Sequence, residues 1–593
     1  YPRLAVIHEA GHIRGEHIMQ DSIQVAAAKD GLSLKAYRSD GWVLLAFDLD
    51  QHLTSNLAGF AVQRTPPNGP AAYLLNRLSF DTPVTATTTP QERPLTPSNL
   101  APFQKFRWMD FPGDLEPGAY TYTVTAMYFD PGGSIQLTPG ASANISLELI
   151  PSQPQFQHFE MGFTRGVLSS QAYAEKFKNA PIRPNGAKTL DYDTAPFEAQ
   201  YAWLGYHARK MIFGFLHECL ADPEVTLDMF AYDLDEPDIV HLLQQFGPRL
   251  RAVLDNAPLH TQPGALEPEA KTRLIASAGA SNVVVGHFKR FAHDKVLIKK
   301  DKDGKALKVL TGSANFSVRG LYVQDNNVLI FDDPGAADLY EQAFETAFTN
   351  MAHATQAQSA SKWFDVATVG LPPFSVSFAP HTNASISLDK VSAAIQNTQS
   401  SVLFAVMELD GGGDVLKQLH ELTAREGIFS YGITQAMKSS PPSQGGSPES
   451  VGINLYKPGQ SNGILTSFAF LKGQVPPPFQ AEVSGGMGQV IHDKFIVVDF
   501  NDKMPLVFTG SSNLAEGGEM ENGDNLLCIA DRATAIAYAV EAIRLVDHYH
   551  FRAILQSATN EQPLMLQPNN VNWWAPYYDL TNIKYHDRTL FSR

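Results

Sequence analysis

Histidine and lysine stand two residues apart at His293 and Lys295, and again at His492 and Lys494. In a β-strand such a pair projects from one face, because side chains alternate with a period of two. A turn signal, Asp303-Gly304, follows the first pair. Each pair is followed by Gly-Ser-x-Asn, at Gly312-Ser313-Ala-Asn315 and Gly510-Ser511-Ser-Asn513. From His to Ser the spacing is 20 residues in one copy and 19 in the other. A hairpin would return the second segment beside the first, so each copy gathers an imidazole, an ammonium, a hydroxyl and an amide. Donors of that kind suit the oxygens of a phosphodiester. Two copies facing one phosphorus would supply one imidazole to attack and another to protonate the leaving alkoxide. The lysines and amides would carry the charge stabilisation, so no metal or other cofactor is required of this chemistry.

Counting 13 residues past each serine reaches Asn326 and Asp524, each opening an apolar strand-like run. One His-x-Lys is nearly uninformative, but two with matching downstream partners are a strong signal of internal duplication. The sequence resembles the phospholipase D superfamily, whose signature is His-x-Lys-x4-Asp followed by Gly-Ser-x-Asn, occurring twice. The resemblance covers about residues 156–555. It implies two α/β/α layered halves related by a pseudo-twofold axis. It also implies a site built from His293, Lys295, Asn315, His492, Lys494 and Asn513, with Ser313, Ser511, Asp499, Asn326 and Asp524 in support. The activity implied is hydrolysis of a phosphodiester, or its transfer to an alcohol, through a phosphohistidine.

The motif's aspartate falls at Asp499 in the second copy, but the first copy has Lys300 there and Asp301 one residue later. This departure keeps open a degenerate first motif and, with it, a non-catalytic protein that binds phosphodiesters. In the family the position of Asn326 and Asp524 commonly bonds the far nitrogen of the catalytic imidazole. Paired within each copy, a carboxylate beside His492 would favour imidazolium and suit a proton donor. His293, beside an amide, would then be the nucleophile.

A rival chemistry sits at the start of the sequence. His8-Glu9-Ala-Gly-His12 fits His-Glu-x-x-His, in which two histidines one helical turn apart bind zinc and the glutamate acts as base. Glycine within the would-be helix and the lack of a preceding domain to form a cleft weigh against a zinc protease. Lys289-Arg290 and Arg209-Lys210 could steer an anionic substrate, though scattered surface charge is the commoner meaning of such pairs. The aromatic stretch Trp573-Trp574, Tyr577-Tyr578 and Phe591 reads as a tail anchored in a core, or else as a rim for lipid or base stacking. Gly485, Gly486 and Gly488 would permit a close approach before the second motif.

The elements that must position these residues fall into two styles. Short apolar runs over Leu32–Asp48, Gly59–Arg64, Tyr73–Phe80 and Tyr120–Tyr128 are separated by turn residues, which predicts a β-sandwich. The stretch from Phe106 to Tyr122 loosely resembles a fibronectin type III module. From Tyr201 the pattern changes to alternating helices and strands: a helix over Tyr201–Leu220, then Val225–Tyr232 as strand, Asp238–Gln245 as helix and Leu250–Asp255 as strand. The order returns with Val391–Gln396, Val402–Leu409, Val415–Arg425 and Ile428–Thr434. The proline-flanked stretch Pro372–Pro380 lies between the copies, and the Gly/Pro/Ser-rich segment Ser439–Gly488 interrupts the second. The fold class expected is therefore α/β, with an N-terminal all-β sandwich. The divisions are 1–30 as an N-terminal segment, 31–152 as sandwich, 153–370 as first half and 371–593 as second half.

Composition bounds the partners. The chain has 593 residues, and its 45 basic against 61 acidic side chains leave a net charge of −16. That excludes capture of nucleic acid by a global basic field, while a local basic groove remains compatible with single strands. It leans the substrate toward a phospholipid or another small diester, met through transient contact with a membrane surface by a single chain. No apolar run approaches the roughly 18–20 residues of a membrane span. Two cysteines, Cys219 and Cys528, exclude a disulfide framework and leave the compartment open.

Overall fold

A computed structural model describes residues 19–20, 23–89, 92–113, 116–130, 136–149, 156–166, 170–184, 186–408, 413–422, 425–436, 452–456, 464–467 and 491–592. The His8-Glu9-His12 motif lies outside the described residues, as does most of Ser439–Gly488 with its three glycines.

The N-terminal part is a β-sandwich. One sheet includes Gln24–Lys29, Leu32–Arg38, Val43–Leu49 and Arg107–Asp110, and the other includes Leu57–Thr65, Gly118–Phe129 and Leu137–Leu149. Alternation drives it: in Gly118–Phe129 the side chains of Tyr120, Tyr122, Val124 and Ala126 are buried while the residues between them are less so. The run expected over Leu32–Asp48 is two strands, not one, because Ser39 to Trp42 turn the chain. The strand expected over Tyr73–Phe80 breaks into two-residue pieces, Ala72–Tyr73 and Leu75–Asn76. The second of these pairs with Thr96–Pro97 rather than joining a main sheet.

Two further sheets share one plan. The first runs, in spatial order, Phe159–Phe163, Asn327–Phe331, Ala306–Gly312, Val296–Lys300, Thr226–Ala231, Leu250–Asp255 and Val283–Gly286. The second repeats that order with Phe374–Ala379, Asp524–Ile529, Leu506–Gly510, Phe495–Val498, Ser401–Glu408 and Phe429–Ala436, and adds outer strands on both sides. In each sheet the strand after His-x-Lys lies between the strand ending at Gly-Ser and the first parallel strand. Phe374–Ala379, from the proline-flanked stretch between the copies, is thus a fully buried strand of the second sheet.

Helices cover the sheets. Glu198–Ala221 buries a broad apolar face and is interrupted at Tyr206, whose φ is 43°. Arg532–Gln556 runs beside the second sheet, with Asp531 capping its first turn through Thr534 N. The main core includes residues of both halves, so the two sheets with their helices form a continuous body.

Candidate active site

The site lies where the halves exchange hydrogen bonds. The amide N–H of His293 donates to the carbonyl of Gly523 at 2.9 Å, and that of His492 donates to Asp325 at 3.1 Å. Each acceptor carbonyl precedes the 13-residue partner of the other copy. The side chains follow the same exchange. His293 Nδ1 lies 2.7 Å from Asp524 Oδ1, and His492 Nδ1 lies 2.8 Å from Asn326 Oδ1. Asn525 Nδ2 donates to Asp294, and Asn327 Nδ2 donates to Asp493, both at 2.7 Å.

This crosswise pairing corrects the within-copy pairing expected from the sequence. Spacing along a repeat cannot say which copy a strand end faces. Here each strand end meets the opposite half, so the carboxylate serves His293 and the amide serves His492, and the expected reason for His492 as proton donor, a carboxylate at its far nitrogen, falls away. The two imidazoles nonetheless lie near each other, with ring centroids 6.4 Å apart and planes at 62°.

The serines stand behind the imidazoles' partners. Both are fully buried. Ser313 Oγ donates to Asn326 Oδ1 at 2.8 Å, and Ser511 Oγ donates to Asp524 Oδ1 at 2.9 Å. Each also accepts the amide N–H of the next residue, Asn327 or Asn525. The serines therefore hold the groups that hold the histidines. The preceding glycines make this possible. Gly312 has φ of 142° and Gly510 of 134°, and a Cβ on either would come within 2.4 Å of a carbonyl oxygen of Asn327 or Asn525.

Lys295 and Lys494 are buried, and each donates to the carbonyl of the histidine two residues earlier, Lys494 at 2.7 Å. Burial brings Lys295 down to about 8 against the pull of Asp524 and Asp233. Burial, then the charge of Lys295, holds Lys494 well below its ordinary value. The imidazoles move the same way. Burial, then Lys295 and Lys494, pushes His293 well below 6.5, and burial with the same two lysines does so for His492. Asp524 is lifted by burial to about 7. Burial disfavours every isolated charge, and an anion beside the two lysines would favour their protonated forms.

Asn315 is buried, and its Nδ2 donates to Asp233 Oδ2 at 2.7 Å. Asn513 is also buried, and its Oδ1 has no partner among the described residues. Asp499, expected in support of the second motif, stands apart from the imidazoles' partners. At φ of 54° it accepts from the hydroxyl of Thr398 and from the amides of Ser400 and Ser401, which fastens the turn into Ser401–Glu408. In the first half Lys300 bonds Asp228 and Glu341 at 2.8 and 2.6 Å. Asp301 accepts from Asp303 N and Lys305 N in the hairpin. The departure at Lys300 thus exchanges one scaffold contact for another and leaves the partners of His293 untouched.

Four residues here were legible but unread. Asp294 and Asp493 stand between His and Lys in both copies, and Asn327 and Asn525 follow the partner position in both. Asp233, His260, Asp255 and Tyr232 carry no repeat signal. His260 Nε2 lies 2.6 Å from Asp233 Oδ1, and its Nδ1 lies 2.8 Å from Asp255 Oδ1. Asp233, His260 and Glu267 bring ligating atoms within 4.8 Å of one another, but both nitrogens of His260 are engaged by carboxylates. Asp228, Glu341 and Glu345 form a second such group, already paired with Arg251.

The remaining expectations resolve as follows. Lys289 pairs with Glu521 and Arg209 with Glu198. The aromatic C-terminus packs into the sandwich, with Trp573 Nε1 donating to the Leu57 carbonyl at 2.8 Å. Cys219 and Cys528 are buried, unpaired thiols. No helix of the described residues is long and apolar enough to cross a membrane.

A family model described as "Cardiolipin synthase, PLD-like domain" matches residues 218–348, which hold the first His-x-Lys and Gly-Ser-x-Asn. No curated protein sequence matches the chain. Among solved structures, phosphatidylserine synthase of Haemophilus influenzae is similar at 12% identity and TM-score 0.36, over 60% of this chain and 90% of that one. Polyphosphate kinase of Porphyromonas gingivalis is similar at 10% identity and TM-score 0.34, over 57% of this chain; the chain spans 49% of that enzyme. Nuc of Salmonella typhimurium, a phospholipase D family member, aligns at 21% identity and TM-score 0.18 with 22% of this chain and 84% of its own. Residues 218–348 thus match a PLD-like domain, and the same paired motifs recur in the second half of the chain.

Proposed function

We propose that the protein is a metal-independent phosphodiesterase that works through a phosphohistidine on His293, with a phospholipid as the favoured substrate. The PLD-like match over residues 218–348 supports phosphodiester chemistry in general. The observation that carries the finer reading is the pair of imidazoles, from the two halves, with centroids 6.4 Å apart beside two buried lysines. Rings this close can both reach one phosphodiester group, one at phosphorus and the other at the leaving oxygen.

The partners distinguish the two rings. Asp524 accepts from Nδ1 of His293, which leaves the Nε2 lone pair free and stabilises the positive charge that develops as the N–P bond forms. Asn326 already receives the Ser313 hydroxyl at Oδ1 and donates through Nδ2 to the Gly320 carbonyl. It can therefore only accept from His492 Nδ1. With a neutral partner the imidazolium form of His492 is the more acidic and gives up its Nε2 proton more readily. In the first step His293 Nε2 bonds phosphorus, the P–O bond to the leaving group breaks, and His492 protonates the departing alkoxide. In the second, His492 takes a proton from water or an alcohol, whose oxygen displaces His293.

The acidic balance of the chain supports a lipid over a nucleic acid. Headgroup release from phospholipid vesicles, with alcohol exchange, and degradation of single-stranded DNA are to be compared in the presence of chelator, for wild type and His293→Ala. Chelator-resistant headgroup release that His293→Ala abolishes is expected. DNA degradation alone would make the protein a nuclease, and a phosphoenzyme label mapped to His492 would reverse the roles of the rings.

A further inference from the structure

Asn315 is not free to choose its orientation. Its Nδ2 donates to Asp233 Oδ2, and an ionised carboxylate can only accept, so the amide must present its NH2 group and not its oxygen on that side. The second N–H of the same nitrogen is then the one left for a phosphate oxygen. Asp233 in turn is held by His260 Nε2 at its other oxygen, at 2.6 Å. His260 Nδ1 reaches Asp255 Oδ1 at 2.8 Å, and Asp255 Oδ2 accepts from the amide of Ala292 at 2.6 Å, immediately before His293.

The fold explains why these groups meet. Thr226–Ala231 and Leu250–Asp255 are parallel neighbours with Ala231 beside Leu254, so Asp233 and Asp255 emerge close together at their ends. The short helix Pro258–Thr261 lays His260 between them. The ring of Tyr232 meets His260 edge-on at 4.4 Å and His293 at 4.7 Å, and Lys295 Nζ lies 4.9 Å over it.

We propose that Asp233, His260 and Asp255 form a positioning relay that fixes the amide of Asn315 and the backbone of His293 for attack on the phosphodiester. The proposal rests on the phosphodiesterase reading above. A carboxylate beside a site for an anion is electrostatically costly, and His260 offsets that cost. Burial opposes charge on its ring, but Asp233 and Asp255 outweigh burial and carry it up to about 10, so it stays cationic at neutral pH. Against burial, His260 and then Lys295 keep Asp233 below its ordinary value. Glu267, on the far side of Asp233 and His260, is raised to about 8 by burial, then Asp235 and Asp233, and adds little negative charge. The three relay groups are positioning residues, since none of them is required to touch the reacting atoms.

A double-mutant cycle on the full chain tests the relay, with bis(p-nitrophenyl) phosphate as the probe. Asp233→Asn is expected to lower kcat/KM by about 10–100-fold, chiefly through kcat, because a misplaced group costs on that scale. Added to Asn315→Ala, it is expected to cost less than about threefold more, because both changes act through one amide. Equal losses in the two backgrounds would overturn the relay and leave Asp233 a structural residue. A second readout needs no turnover: NMR of the chain labelled at histidine Cε1, with His260 assigned by difference from His260→Gln. A doubly protonated His260 ring at neutral pH that becomes neutral in Asp233→Asn is expected, and a neutral ring in wild type would overturn the proposal. If wild type releases no nitrophenol while His260 behaves as expected, the phosphodiesterase reading fails and the ion-pair relay stands.

Discussion

Asp524 and Asn326 occupy matching places, differ by one atom and serve opposite rings. Asp524→Asn keeps the shape of the pocket, since the new Oδ1 can still accept from His293 Nδ1 and Ser511 Oγ as Asn326 does on the other side. Only the charge is lost. Phosphoenzyme formation, followed by quench in alkaline detergent, is expected to fall by about 10²–10⁴-fold, the scale on which a carboxylate behind a catalytic imidazole acts. Proton transfer gives a second expectation. In the proposed roles activity needs His492 protonated, and its ordinary value of 6.5 is lowered by burial and then by Lys494 and Lys295. Raising the pH removes that proton first. The basic limb of kcat/KM is therefore expected below pH 6.5, and a rate profile on a soluble diester checks it; a basic limb above 7 would contradict the assignment. The identities of the central His, Lys and Asn residues were legible because they are duplicated. Their partnership was not, because a repeat fixes spacing along the chain and leaves open which copy lies across the axis.

At the scale of elements, strands and helices near the site follow the periodicity closely. Leu250–Asp255 has the bounds that alternation and turn residues gave it, and the helix expected over Asp238–Gln245 begins one residue earlier, at Pro237, where proline fits the first turn. The single run expected over Leu32–Asp48 failed for a physical reason: Ser39 and Trp42 close a turn inside an otherwise apolar stretch. The Gly-Ser turn shows the tightest coupling of sequence to geometry. Gly510→Ala would place a Cβ 2.4 Å from the Asn525 carbonyl oxygen at φ of 134°. It is expected to cost about 1–3 kcal/mol of stability, read by denaturant unfolding, and to lower activity by displacing Ser511 from Asp524. The positions of Lys300 and Asp499 show the opposite case. Each serves its own half's scaffold through unrelated contacts, so a motif departure there says nothing about chemistry.

Across the whole molecule, the C-terminal segment ties the two ends of the chain together. Trp573 and Tyr577 join the core of the sandwich, Arg107 pairs with both Asp547 and Asp587, and Tyr37 Oη donates to the Phe591 carbonyl at 2.8 Å. Trp573→Ala is expected to destabilise the protein by about 3–5 kcal/mol, with the loss appearing as a lower Tm and not as a change in the pH profile. The sequence showed an aromatic tail but could not show its destination, since a core some 500 residues away in the chain leaves no local pattern. The exchange of hydrogen bonds at the centre has a mechanical consequence. Each catalytic ring takes its orientation from the opposite sheet, so any scissor-like parting of the sheets would release both rings together. The joint between the sheets and the aim of the two imidazoles are thus one and the same set of hydrogen bonds.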